Sequence, residues 1–305
     1  MRRDQHLKIG KSCGAVWNNT ESRHIEKMQQ VETCEELRNL LEAYRVLSRT
    51  IGLVPTMGAL HAGHVSLIKR ALEKNDVVVV SDFVNPTQFN NPNDFRTYPR
   101  DLMSDGKLVE SIGATIFFAP SEEEIYPTPD TRQFTFGNLD KVLEGAHRPG
   151  HFNGVGQIVS KLFELVQPTR AYFGEKDYQQ MLIIRDLVRQ LNMKIEIVPC
   201  PIVREADGLA MSSRNQLLDS ECRREAPAIY ATLSALGEPL KTQPLSEVRN
   251  WAIQQIEAHT PLHVEYLEFA DANTLEPLSE FRPNQTRCLT AVQAGAVRLI
   301  DNIGY

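Results

Sequence analysis

Long apolar runs, paired cysteines and an excess of positive charge are all missing from this 305-residue sequence. No stretch approaches the ~20 consecutive apolar residues of a membrane span, so the helical membrane class is excluded. The five cysteines, Cys13, Cys34, Cys200, Cys222 and Cys288, are odd in number, and no two stand as C-x-x-C. A disulfide framework or a zinc site is not expected, and a reducing cytoplasm fits best. Lys and Arg number 33 against 39 Asp and Glu, a formal charge of −6, which argues against a nucleic-acid coat with its broad basic face. Gly and Pro, at 17 each, are too few for a collagen-like or low-complexity chain, and 42 % apolar residues excludes wholesale disorder. Two nucleotide signatures are also lacking: there is no G-x-x-x-x-G-K-[ST] and no G-x-G-x-x-G after the first strand. No Ser-His-Asp or Cys-His pairing declares itself.

What is present is alternation. Residues 1–27 carry scattered Lys and Arg with no apolar period or secretory h-region, and read as a disordered or non-native extension ahead of Met28. From there Val31, Leu37, Leu40, Leu41 and Tyr44 recur at helical spacing, and Thr33–Glu36 matches a capping box. Strands are expected at 51–55, 77–80, 115–119, 170–173 and 194–198, with helices at 64–74, 102–111, 155–166 and 178–191 between or after them. Val77–Val80 is β-branched throughout, the mark of a strand covered on both faces. Such repetition predicts an α/β fold over 28–202, a Rossmann-like doubly wound parallel sheet with ligands at the carboxyl ends of its strands. Over 203–305 the pattern changes to helices at 221–236 and 245–259 and strands at 264–270, 287–292 and 297–300, a smaller α+β unit packed directly on the first.

The strongest chemical signal is Thr56-Met-Gly-Ala-Leu-His-Ala-Gly-His64, a glycine-bearing turn between a strand and a helix. A helix N-terminus offers unpaired N–H groups and partial positive charge to phosphate, and His61 and His64 add two imidazole donors. Asn85 and Gln88, after the Val77–Val80 strand, offer amides to a hydroxyl or a carboxylate. Arg148 and His151 sit in a glycine-rich stretch, 144–154, that reads as a mobile lid or an exposed loop. Lys176, in Gly174-Glu-Lys-Asp177, places a cation where a phosphate would lie, and Ser212, Ser213 and Arg214 form a compact donor set. Donors without a protein nucleophile fit a reaction whose substrates supply the nucleophile while the protein stabilises charge on phosphorus.

These motifs, with Tyr98-Pro-Arg100, Leu143-Glu-Gly145 and Arg298-Leu-Ile-Asp-Asn302, stand in the order of the pantoate–β-alanine ligases, which the chain resembles over roughly residues 28–302. The H-x-G-H turn alone marks a wider nucleotidyltransferase superfamily. The resemblance implies attack of pantoate on the α-phosphorus of ATP, then attack of β-alanine on the pantoyl adenylate. By family analogy His64, His61, Lys176 and Arg214 are catalytic. ATP would be held by Met57, Gly58, Ala59, Leu60, His61, Ala62, Gly63 and His64, by Gly174, Glu175, Lys176 and Asp177, and by Val203, Met211, Ser212, Ser213 and Arg214. Gln88 would hold pantoate and β-alanine, Gln180 pantoate, with Asn85, Arg148 and His151 beside them. Mg²⁺ would accompany ATP, with Asp105 positioning it through water. A cytoplasmic homodimer is implied, with no nucleic-acid or membrane partner. Another H-x-G-H nucleotidyltransferase and a degenerate nucleotide-binding homologue are the alternatives. One residue departs from the family: Asp82 stands on a central strand where an apolar side chain, commonly Ile, is usual. A buried unpaired carboxylate there would be costly.

Overall fold

The structure, a computed structural model, describes residues 27–305. All but the last residue of the N-terminal extension therefore lies outside the described residues. Six strands form one parallel sheet: β1 (Gln29–Val31), β2 (Ile51–Thr56), β3 (Val77–Asp82), β4 (Ile116–Phe118), β5 (Arg170–Gly174) and β6 (Glu196–Cys200), in the order β1-β4-β3-β2-β5-β6. Around it lie α1 (Cys34–Val46), α2 (Ala62–Lys74), α3 (Pro92–Thr97), α4 (Leu102–Ile112), α5 (Glu122–Ile125), α6 (Glu144–His147), α7 (His151–Val166) and α8 (Tyr178–Gln190). The four valines of β3 are each at most 2 % exposed, which stabilises the sheet by about 1.5–3 kcal/mol per side chain. From β2 the chain winds outward through β3 and β4, then returns to lay β5 on the other flank of β2. That reversal opens a crevice between the carboxyl ends of β2 and β5, where a doubly wound sheet binds its ligand. Only Gly52 and Leu53 of β2 pair with β5, through Arg170 and Ala171.

The second unit contains α9 (Ser220–Glu225), α10 (Ala228–Ser234), α11 (Pro239–Thr242) and α12 (Leu245–Glu257), and an antiparallel sheet of β7 (Leu262–Asp271), β8 (Thr286–Ala294) and β9 (Val297–Gly304). It has its own apolar core, with Leu233, Val248, Ile256, Leu262 and Val292 buried together. The α+β expectation holds with one correction. The helix expected over 221–236 is broken in two around Pro227, which has no N–H to donate and clashes with a continuing helix.

Three further expectations shift. Val31 belongs to β1, a short edge strand beside β4, and not to the first helix, whose capping box at Thr33 and Glu36 does form. The segment read as a lid or exposed loop at 144–154 is instead α6 and the first turn of α7, and it is tightly held. A Cβ built on Gly154 would lie 2.3 Å from the Thr87 carbonyl oxygen, so only glycine lets α7 approach the 83–89 segment this closely. The strand expected at 194–198 lies at Glu196–Cys200.

Candidate active site

At the end of β2 the backbone turns through Gly58 (φ 78°) and Ala59 (φ 49°) before α2 begins. His61 is the N-cap of α2. Its Nδ1 accepts from the Gly63 N–H at 3.1 Å, while the His64 Nδ1 accepts from the His61 N–H at 3.3 Å. With both Nδ1 atoms acting as acceptors, each neutral ring carries its proton on Nε2, the edge left for a ligand. The ring centroids are 4.1 Å apart. Burial, then the Lys176 charge, pushes the His61 imidazole down to about 4. Burial, then His61 and Lys176, pushes His64 down to about 3. Both are therefore neutral donors at pH 7 in the absence of ligand.

His61 and His64 line a cavity of about 200 Å³ that also takes in Met57, Gly63, Asn85, Gln88, Gly174, Lys176, Asp177 and Gln180, with Val203, Met211, Ser212, Ser213 and Arg214 from the second unit. The sheet reversal thus brings the His turn after β2 to face the Lys turn after β5. Apolar Val155, Ile158, Val159 and Leu162 of α7 form another wall. Gly58, Ala59, Leu60, Ala62 and Glu175 do not line the cavity; the first three shape the turn beneath it.

Several of the expected contact residues also support the site. His151 is 6 % exposed and does not line the cavity; its Nδ1–H donates to the Gln88 carbonyl oxygen at 2.8 Å. Asn85 donates to the Gln88 side-chain oxygen at 3.2 Å and accepts from the Tyr126 hydroxyl at 2.8 Å, which fixes the Gln88 side chain. Arg148, 3.7 Å from Glu144, lines clefts that adjoin the cavity and share Lys176 and Asp177 with it, and His151 lines one of them. Asp105, expected beside Mg²⁺, turns to the backbone: its two oxygens accept the Ala59 and Leu60 N–H groups, each at 2.7 Å, and it is buried without lining the cavity. It braces the turn after β2 from below.

The motifs that carried the resemblance without an assigned task now have one. Asn302 donates from Nδ2 to the Glu175 and Lys176 carbonyl oxygens, both at 2.9 Å, so β9 holds the Lys turn. Arg298 grips Glu144 through two bonds of 2.7 and 2.8 Å. Burial alone would raise the Glu144 carboxyl, but Arg298 and Tyr266 bring it down to about 2. Tyr98 meets the Ser213 hydroxyl at 3.1 Å. Asp94, which nothing in the local sequence marks, pairs with Arg214 at 2.9 Å.

The chain is similar to known proteins over most of its length. Residues 29–304 match the family model described as pantoate-beta-alanine ligase. A pantothenate synthetase of Phocaeicola vulgatus is 55 % identical, with 91 % of this chain and 99 % of that one covered. A crystal structure of the Thermus thermophilus pantothenate synthetase is 44 % identical with a TM-score of 0.86, covering 91 % of this chain and 99 % of that one. A Francisella tularensis pantoate-beta-alanine ligase, solved with beta-gamma ATP and beta-alanine, is 37 % identical with a TM-score of 0.77, covering 91 % and 97 %.

Proposed function

Because the chain belongs to the pantoate–β-alanine ligase family, we propose that it condenses (R)-pantoate with β-alanine, cleaving ATP to AMP and pyrophosphate. One observation carries the reading: two neutral histidines with free Nε2–H edges face Lys176 across the sheet reversal, and two glutamines line the same cavity. In the first step a pantoate carboxylate oxygen attacks the α-phosphorus and pyrophosphate leaves. The Nε2–H groups of His61 and His64 donate to phosphoryl oxygens, while Lys176 and Arg214 balance the growing negative charge. Triphosphate binding raises the depressed imidazole pKa values, because the anion favours the charged ring. His64 can then hand a proton to the leaving pyrophosphate. Gln88 and Gln180 orient pantoate against the apolar wall of α7, and Met57, Gly174, Asp177, Val203 and Met211 enclose the nucleotide. In the second step the β-alanine amine attacks the acyl carbon and AMP leaves.

Among the described residues no cluster of three or more His, Cys, Asp or Glu side chains could hold a metal alone. Mg²⁺ would therefore arrive on the ATP phosphates, as is usual for this cation, with the Asp177 carboxylate in the cavity wall to meet its water. It would supply charge neutralisation of the leaving pyrophosphate. The family resemblance also supports a cytoplasmic homodimer. Among the described residues no helix is long and apolar enough to cross a membrane.

The test is AMP release with each substrate supplied or withheld. AMP formed only when pantoate and β-alanine are both present supports the ligase. Pyrophosphate formed without pantoate would refute it in favour of another H-x-G-H transferase, and no turnover at all would favour a degenerate homologue. His64→Ala is expected to slow single-turnover pyrophosphate release by about 10²–10³-fold, as for the loss of one donor to transition-state charge. An unchanged rate would remove His64 from the mechanism.

A further inference from the structure

The turn that carries Lys176 belongs to the first unit, yet side chains of the second unit fasten its backbone. Leu289 of β8 stands opposite Asn302 of β9, so Arg287, two residues before Leu289, projects from the same face as Asn302. The Arg287 Nε–H donates to the Asn302 Oδ1 at 2.8 Å, and the Asn302 Nδ2 donates to the Glu175 and Lys176 carbonyl oxygens, both at 2.9 Å. An arginine can only donate and a carbonyl can only accept, so these three bonds allow the amide one orientation. Reversed, its oxygen would face two carbonyl oxygens and its NH₂ group a guanidinium. Asn302 is 2 % exposed, which keeps water from competing for these bonds. The Arg287 guanidinium also stacks on the Tyr178 ring, 3.6 Å from its centroid, and the Tyr178 hydroxyl donates to the Ala272 carbonyl oxygen at 2.9 Å. Tyr178 opens α8 directly after the turn, so the second unit holds the turn both at its carbonyls and at its exit.

We propose that Arg287 and Asn302 are positioning residues for Lys176. Arg287 fixes the Asn302 amide and the Tyr178 ring, and the amide sets the backbone of residues 175–177 and with it the point from which the Lys176 ammonium meets phosphate. The proposal rests on the ligase reading for its catalytic consequence only. A lysine carries its charge on a flexible four-carbon stem, so the place of that charge depends on the backbone it starts from. The His turn has its brace within the first unit, in Asp105. The Lys turn takes its brace from the second, so the lysine side of the site is complete only with that unit seated.

The test is a set of double-mutant cycles on the full chain, pairing Asn302→Asp or Arg287→Met with Lys176→Ala. Asn302→Asp keeps the shape and the bond from Arg287 but, ionised, cannot donate to the turn. Arg287→Met keeps an unbranched apolar stem and loses both the donated bond and the charge over the ring. Each cycle is read as the Kd for ATP by titration calorimetry and as pyrophosphate release in single turnover with ATP and pantoate, without β-alanine. With Lys176 present, Asn302→Asp is expected to slow release about 10- to 100-fold and Arg287→Met about three- to tenfold, each weakening ATP about three- to tenfold. With Lys176→Ala, either change should alter rate and Kd by less than about twofold, because the group it positions is gone. Losses that multiply with that of Lys176→Ala would show a general loosening and overturn the proposal. Native rate and ATP affinity in Asn302→Asp would overturn it as well. If Asn302→Asp does not fold, the Arg287→Met cycle decides alone. No pyrophosphate from the native protein, with the cycles in ATP affinity still non-additive, would remove the ligase reading and leave the positioning role.

Discussion

At the scale of single residues, the site depends on backbone approaches that admit no side chain and on polar groups with every bond assigned. Gly154 is the clearest case. A Cβ there would fall 2.3 Å from the Thr87 carbonyl oxygen, so Gly154→Ala must push α7 away from the segment bearing Gln88. A cost of about 3 kcal/mol is expected for such overpacking. Differential scanning calorimetry should show a Tm lower by about 6 °C or more, with a raised KM for pantoate. Residue-level legibility in the sequence followed the same line. His61, His64, Lys176 and Arg214 were readable because their types carry phosphate chemistry wherever they occur. The partners of His151 and Asp105 were not legible, because they depend on which way the side chain points. One turns to a carbonyl and the other to two backbone amides, and local spacing encodes neither choice.

At the scale of elements, α3 emerges as a functional part. It places Asp94 against Arg214, so the guanidinium expected to grip phosphate is already neutralised in the ligand-free protein. If Arg214 grips phosphate as proposed, ATP has to displace this carboxylate. Asp94→Asn is therefore expected to lower the KM for ATP about three- to tenfold, while leaving kcat for the adenylate-forming step within about twofold. An unchanged or raised KM in steady-state assays would show that the pair is no competitor. Strands β2 to β6 were visible as apolar runs. β1 was not, because its three residues include two glutamines and gain their strand geometry only from β4. The start of α7 was hidden by Gly150 and Gly154, which local propensity reads as loop although packing makes them helix boundary and interior.

At the scale of the whole molecule, the two units are fastened at the site itself. Glu144, from the first unit, is gripped by Arg298 of β9, and Asn302 of the same strand holds the Lys turn. The lowered Glu144 carboxyl contributes stability that is complete above its unfolded value of about 4.3 and is lost as pH falls towards about 2. Glu144→Gln should flatten that acid limb. At pH 7 it should cost about 1–3 kcal/mol, because part-buried Arg298 loses its two-bond partner and keeps only Glu265. Urea unfolding at several pH values checks both, and an acid limb as steep as that of the native protein would contradict the assignment.

The sparse pairing of β2 with β5 has a mechanical consequence. The strands are joined at their base, up to Leu53, while the two turns that face each other begin at Thr56 and Gly174. Three further residues on each strand, paired to β3 and β6 and not to each other, make a lever arm of about 10 Å at about 3.3 Å each. A tilt of about 6° about the paired base therefore moves the mouth by about 1 Å. Fine adjustment around a triphosphate can then be made by the sheet flexing as a pair of tongs, with the histidines on one jaw and the lysine on the other, and needs no loop to travel.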